Sequence, residues 1–288
     1  MIDLHVHTTR SDGQFEPSEV IKLAKSQGLK AIAITDHDTI DGIEDAVNAG
    51  KEYDMEVIPG IEISAEYEED MHILGYYIDI NSPYIIEATR VMKNKRDERN
   101  DKMIEAFNKL GVSITLKDVK KYASGDVLGK PHFAKALLEK GYIKEYKEAF
   151  IKYFKNEELS KIKREMLTPK ESIELIINSG GIPVLAHPKS LKLDFNELEE
   201  KIIELKSYGL KGIECIYSWN TPLQILKSIE IAKKHNLLIT AGTDFHGPSI
   251  DSELELGRGI NGNFDAPYEL LEEIKKHRIS KVTFNSTT

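Results

Sequence analysis

The chain has 288 residues, of which 40% are hydrophobic and 30% charged, and its formal net charge is −9. That composition excludes a disordered or fibrous chain and suits one large globular domain, or one domain carrying an insertion. The negative balance argues against a surface that binds nucleic acid as a whole, no stretch is apolar enough to span a bilayer, and a lone cysteine, Cys215, excludes an internal disulfide.

A reducing cytoplasm is the compartment expected for such a chain, and no basic-then-apolar leader opens it. At the start, Ile2, Leu4 and Val6 alternate with Asp3, His5 and His7. Alternation predicts a strand, with His5 and His7 on one face and the aliphatic residues on the other. Two imidazoles on one face, a short loop from Asp12, are poor packing material and good metal ligands. A surface strand carrying two histidines by chance would read the same.

Residues 17–27 then predict a helix, with Pro17 in its first turn and Gly28 past its end. A short apolar strand over 31–35 ends in Asp36, His37 and Asp38. Asp41 is placed to cap a second helix reaching about residue 53. Residues 56–64 are extended and carry Glu62; residues 71–77 form a fourth strand with His72. Asp36 and Asp38 flank His37 and are expected to orient its imidazole.

The rhythm breaks at residue 83. A long, highly charged helical stretch covers 84–110, and helical pieces follow at 116–123, 131–140 and 146–154. Residues 83–167 are therefore expected to form an inserted helical subdomain. They hold 20 Lys and Arg against 13 Asp and Glu, a basic segment inside an acidic body. The usual meaning of the run containing Arg96 and Arg99 is a solvated helix laced with ion pairs, although both arginines could face a site.

Thr168, Pro169 and Glu171 spell a capping box that restarts the main body. Strands are predicted at 182–186, 212–216 and 238–241, each followed by polar groups: His187, then Glu214 and Tyr217 near a strand end, then Asp244 and His246. Helices are predicted at 196–208, 223–235 and 267–276. His235 and His277 end helices, where an imidazole complements the dipole. Trp219 and Asn220 lie in a loop and could touch a base. Cys215 sits in an apolar run and reads as a core residue.

Alternating strands and helices predict an α/β fold with a parallel sheet covered by helices. An open doubly wound sheet would show a similar pattern. The position of the polar residues favours a barrel over residues 1–82 and 168–288. His5, His7, His37, Glu62, His72, His187, Asp244 and His246 fall at or just past the ends of six strands, and only a barrel brings every strand end to one mouth. Side chains of these types converging from many strands describe a multinuclear site for Mn, Fe or Zn.

The set His5-Val6-His7, Ser11-Asp12-Gly13, Thr35-Asp36-His37-Asp38, Gly60-Ile61-Glu62, His72-Ile73-Leu74-Gly75, Ala186-His187-Pro188 and Asp244-Phe245-His246 resembles the motifs of the PHP (polymerase and histidinol phosphatase) family. The resemblance implies a distorted (β/α)7 barrel and two or three divalent transition-metal ions that cleave phosphate esters. By that resemblance His5, His7, Glu62 and Asp244 would hold one ion. Glu62, His72 and His187 would hold a second, and Asp12, His37 and His246 a third. Glu62, Asp244 and His246 are the expected catalytic residues.

Gly129-Lys130-Pro131-His132, Gly141-Tyr142 and residues 150–153 resemble the helical insert of a nucleotide-phosphatase branch. That branch includes AMP and 3',5'-bisphosphonucleotide phosphatases and a 5'-to-3' exoribonuclease. Lys130 stands where Arg is more usual, so a planar, bidentate contact becomes a point charge. Lys130, His132, Lys155 and Arg164 are the expected substrate contacts.

The activity implied is hydrolysis of nucleotide phosphate monoesters, or of the 5' ends of short RNA, by a hydroxide shared between metals. Neither a membrane nor an obligate protein partner is expected. Two other classes remain. One is a phosphatase for histidinol phosphate or another small metabolite, which would have no need of a basic insert. The other is a non-catalytic metal-binding module, although no ligand position is lost here.

Overall fold

The computed structural model describes residues 1–123 and 127–278. Seven strands, β1 (Ile2–Val6), β2 (Ala31–Ile34), β3 (Glu56–Ala65), β4 (Met71–Tyr76), β5 (Ile182–Leu185), β6 (Gly212–Tyr217) and β7 (Leu238–Gly242), pair in chain order. The two outer strands meet through the segment after β7. Asp244 N donates to His5 O at 2.9 Å and His7 N to Phe245 O at 3.0 Å. The sheet is thus a nearly closed barrel.

Helices α1 (Pro17–Ser26) and α2 (Ile43–Tyr53) follow β1 and β2. The period of two in the strands sorts their side chains. Ile32 and Ile34 pack with Val20, Ile21 and Ala24 of α1 and Ala46 and Ala49 of α2. Ala33, which lies between them on β2 and points the other way, shares a second cluster with Ile58, Leu74, Tyr76 and Val184.

The sheet is not wholly parallel. β4 runs antiparallel to both β3 and β5, while the other neighbours are parallel. Only residues 66–70 separate β3 from β4, too few for a crossover, so the two form a hairpin. The reversal decides where His72 lies. It is the second residue of β4 and pairs with Ser64 near the end of β3. In a parallel strand that position would fall at the far end of the barrel.

β1 is also not a surface strand. All five residues are buried, on both faces.

After β4 the chain is helical: α3 (Pro83–Lys109), α4 (Leu116–Lys120), α5 (Lys130–Glu139), a π-helical turn (Ala149–Phe154) and α6 (Glu157–Ser160). Met103, Phe107, Val119, Phe133, Leu137 and Phe154 form a hydrophobic cluster of their own. The chain rejoins the sheet where Leu167 bridges Ala65.

The remaining helices are α7 (Pro169–Asn178), α8 (Phe195–Ser207), α9 (Pro222–Lys234) and α10 (Glu269–Lys276). Ile61, Ile63, Ile73, Leu185, Ile213 and Cys215 pack against Ile173 and Ile176 of α7 and Ile202 and Leu205 of α8. Thr168 and Glu171 form the anticipated capping box. Asp41 does not cap α2, which starts after Gly42 without a side-chain cap. A two-residue hairpin pairing Leu254–Glu255 with Gly259–Ile260 was not anticipated, being too short to show a period.

Closure leaves no room at Gly242. A Cβ there would lie 2.2 Å from His5 Cβ and 2.4 Å from Glu214 Oε1. Gly242→Ala is therefore expected to destabilise the protein by at least about 2 kcal/mol, as overpacking at an unyielding contact does. Urea denaturation of the two proteins measures it; equal midpoints would mean that β1 and β7 are not in contact.

Candidate metal centre

The centre forms because strand ends and the turns after them deliver polar side chains to one mouth. β1 supplies His5, and the loop after it supplies His7 and Asp12. His37 follows β2, Glu62 lies in β3, His72 is the second residue of β4, His187 follows β5, and Asp244 and His246 follow β7.

Glu62 is fully buried and lies among five imidazoles. Its Oε1 is 3.2 Å from His5 Nε2, 2.9 Å from His72 Nδ1 and 3.0 Å from His187 Nε2. Its Oε2 is 3.2 Å from His7 Nε2 and 2.9 Å from His37 Nδ1. Asp244 Oδ1 lies 3.3 Å from His5 Nε2 and 3.1 Å from His7 Nε2. Asp12 Oδ1 is 3.2 Å from His246 Nε2, and its Oδ2 is 4.0 Å from His37 Nε2. All nine residues expected as ligands are thus brought together.

The donor set fits metal. His7, Asp12, His37 and His246 offer ligand atoms within 4.8 Å of one another; so do His5, His7, Glu62 and Asp244, and so do His37, Glu62 and His72. His5 Nε2, His7 Nε2, Asp12 Oδ1, His37 Nδ1 and Glu62 Oε2 are buried and make no hydrogen bond of acceptable geometry. Buried polar atoms left without partners are costly unless a ligand satisfies them. A mixture of imidazole and carboxylate donors suits Mn, Fe or Zn.

The charges of these groups depend on one another. Burial opposes ionisation of Glu62, yet His37, His5 and His72 outweigh it and hold the carboxyl well below its usual range. Burial likewise opposes the His7 imidazolium, but the carboxylates of Asp244 and Glu62 beside it push its pKa up to about 10. His5 is raised well above its ordinary value: burial opposes the charge, and Glu62, Glu214 and Asp244 overcome it. His72 is raised against burial in the same way, by Glu62 and Asp70. Burial dominates at His37 and lowers it.

Several supporting residues were only faintly legible beforehand. Glu214 is fully buried in β6. Its Oε1 lies 3.0 Å from His5 Nδ1, and its Oε2 accepts the His187 backbone N–H at 2.7 Å. A carboxylate behind an imidazole fixes its tautomer and its aim. The available signal was a charged residue inside the apolar run 212–216. Tyr217 donates its hydroxyl to Asp244 Oδ2 at 3.3 Å. Asp3 accepts from Thr243 N at 2.9 Å and Thr243 Oγ1 at 2.6 Å, securing the residue before Asp244. Burial pushes the Asp3 carboxyl up to about 6 despite these donors.

Neither Asp36 nor Asp38 touches the His37 ring, contrary to expectation. Asp36 accepts from Thr8 N, Thr8 Oγ1 and Ser11 Oγ at 2.7, 2.7 and 2.6 Å, which fixes the loop bearing Asp12. Asp38 accepts from Ser64 N at 3.0 Å and pairs with Arg164 at 2.6 Å and with Arg96. Asp38, His187 and Asp244 adopt φ of 55°, 23° and 61°. A left-handed backbone at such residues costs on the order of 1–3 kcal/mol and persists where surrounding contacts impose it.

The expected substrate contacts fare differently. Arg164 is drawn to Asp38, beside the centre. His132 is buried, and its Nδ1 accepts the Gly129 N–H at 2.9 Å, the structural bond its position in α5 allows. Lys130 lies over the Phe154 ring, 5.8 Å from its centroid, and burial together with Arg99 lowers its pKa. Lys155 is exposed. Lys135 and Tyr146, neither of them anticipated, lie close enough to Asp12 for its charge to act on them.

The PHP domain family matches residues 3–214. The chain is 32% identical to a 5'-3' exoribonuclease of Haemophilus influenzae, over 90% of this chain and 94% of that protein. It is 26% identical to a 3',5'-nucleoside bisphosphate phosphatase of Chromobacterium violaceum, over 92% of each. Its fold matches a crystal structure described as a putative metal-dependent phosphoesterase of Bifidobacterium adolescentis, with TM-score 0.84, 27% identity and coverage of 98% and 97% of the two chains.

Two outcomes test the centre. Glu214→Gln should weaken metal binding by about 10- to 100-fold, the usual effect of losing a carboxylate behind a ligating imidazole; isothermal titration with Mn²⁺ measures it. Metal uptake should also release protons, because His5, His7 and His72 are held protonated at neutral pH without it. Protons compete less as pH rises, so apparent affinity should rise with pH. Titrations in buffers of different ionisation enthalpy count the protons, and a pH-independent affinity would contradict the assignment.

Proposed function

The chain belongs to the PHP domain family and is a metal-dependent phosphoesterase, and on that footing we propose that it removes a terminal phosphate or nucleotide from AMP-like, 3',5'-bisphosphonucleotide or short 5'-phosphorylated RNA substrates. In this reading His5, His7, Glu62 and Asp244 hold one divalent ion, Glu62, His72 and His187 a second, and Asp12, His37 and His246 a third. Such ions, when bound, neutralise phosphoryl oxygens and lower the pKa of water from 15.7 to about 7. Glu62 joins two of the ligand groups, Glu214 aims His5, and Tyr217 and Asp3 steady Asp244 and its neighbour.

The barrel of residues 1–82 and 168–288 carries the reaction, and the segment 83–167 acts as a lid. The observation that carries the choice of substrate is the set of cations this segment turns toward the centre. Arg96 and Arg164 meet Asp38, Lys130 feels the charge of Asp70, and Lys135 feels that of Asp12. A small zwitterion such as histidinol phosphate has no use for that many. The two relatives named for exoribonuclease and bisphosphate phosphatase activity support the same class.

No thiol chemistry is needed. Cys215 is fully buried, and burial raises its thiol pKa far above the usual range. Cytoplasmic residence belongs to the same proposal; no helix among the described residues is long and apolar enough to cross a membrane.

A phosphate-release screen with Mn²⁺ over mononucleotides, bisphosphonucleotides, 5'-phosphorylated RNA and histidinol phosphate tests the reading. Nucleotides are expected to lead, and histidinol phosphate turned over far faster than any nucleotide would overturn it. Cys215→Ala should keep kcat within about twofold of the parent, since a buried methyl-sized change acts on stability and not on chemistry. Lys130→Ala should raise KM for nucleotides about tenfold, the loss of roughly one charge-assisted contact. An unchanged nucleotide KM would remove Lys130 from the substrate path.

A further inference from the structure

Arg96 and Arg99 are three residues apart on α3 and share a face. Both are 92% buried, and so is the Arg164 side chain to a similar degree, at 11% exposure. Arg96 and Arg164 converge on one oxygen, Asp38 Oδ2. Arg99 meets no carboxylate among the described residues. Its guanidinium reaches Leu128 O at 3.4 Å and Met103 Sδ at 3.5 Å. The Nε atoms of Arg96 and Arg99 are buried and unpartnered.

Three guanidinium groups therefore lie in a buried place whose one carboxylate, Asp38, pairs with only two of them. Burial and the mutual repulsion of the three lower the pKa of Arg99 to about 9. An uncompensated buried charge is among the most costly features a fold can keep. The cost is offset when an anion is bound. The cluster also adjoins the metal centre, since Asp38 follows His37 directly and the charge of Asp12 acts on Arg96.

We infer that Arg96, Arg99 and Arg164 form a second anion site, which holds the phosphate of the substrate that is not cleaved. This rests on the nucleotide phosphoesterase reading above and deepens it. Asp38 holds two of the arginines in place and offsets one charge, leaving an excess for a dianionic or monoanionic phosphate. The guanidinium forks match phosphate oxygens bidentately. The bound group is either the second monoester of a bisphosphonucleotide or the next diester of a 5'-phosphorylated chain. These share one chemistry and differ in charge.

The Mn²⁺-loaded full chain is assayed with adenosine 3',5'-bisphosphate, a 5'-phosphorylated dinucleotide and AMP. The ratio of kcat/KM for each two-phosphate substrate to that for AMP is compared among the parent, Arg99→Met, Arg96→Met and Arg164→Gln. The expected result is a drop in that ratio of about 10- to 100-fold in the variants, the worth of a hydrogen bond to a charged group. A drop confined to the bisphosphate assigns the site to a monoester; a drop for both assigns it to either linkage. An unchanged ratio overturns the site.

Calorimetric binding of inorganic phosphate to the chelator-treated full chain gives a readout independent of activity and, for the parent, of any variant's folding. One phosphate per chain is expected, weakened by a similar factor in the variants that fold, and no binding to the parent overturns the site. Phosphate bound at the arginines with no nucleotide turned over would sink the functional reading and leave the anion site standing. Nucleotides turned over with unchanged ratios would do the reverse.

Discussion

The structure depends on the burial of a single carboxylate, Glu62. It is wholly removed from solvent, and imidazoles of His5, His7, His37, His72 and His187 surround it. An isolated carboxylate there would cost several kcal/mol, and neutralisation or pairing is the only remedy. Pairing requires five side chains from four strands and their following turns to arrive within about 3 Å. The barrel is the architecture that brings so many strand ends to one place. The same convergence leaves lone pairs without hydrogen-bond partners, and a metal ion satisfies them.

That demand propagates outward. His5 can present Nε2 to Glu62 only because Glu214 engages Nδ1 from behind. Glu214 has space only because residue 242 lacks a side chain. Asp244 reaches the cluster on a left-handed turn, secured one residue earlier by Asp3 and Thr243. Closure of the barrel and assembly of the centre are thus one event, since the hydrogen bonds joining β1 to the segment after β7 are those of His5 and His7 themselves.

The helical segment answers a different constraint. The body of the protein is acidic and repels the phosphates it would process, while the segment carries the opposite balance. Its own hydrophobic cluster lets it pack independently of the barrel's layers. Its inner face is tied to the barrel where Arg96 and Arg164 meet Asp38, immediately beside His37 of the candidate metal centre. In the proposed function, long-range attraction and short-range recognition come from one element, placed between the strand that bears His72 and the one that leads to His187.

Much of this was determined by the sequence alone. All seven strands were legible because their periodicity is local, and the residues of the candidate centre were legible because His, Asp and Glu at strand ends lack an apolar role. What it could not determine was the direction of β4, which depends on pairing with strands distant in the chain, although the five-residue link after β3 hinted at a hairpin. The partners of Asp36, Asp38 and Glu214 were equally hidden. A carboxylate near a histidine in sequence need not face it in space, and Asp36 turned to Thr8 and Ser11 while Glu214 crossed the barrel to His5. Arg96 and Arg99 read as surface charges because helical spacing reports which residues share a face, not what covers that face. Only the tertiary structure decided that the barrel mouth lies opposite, and so turned a run of solvated charges into a buried cluster of guanidinium groups.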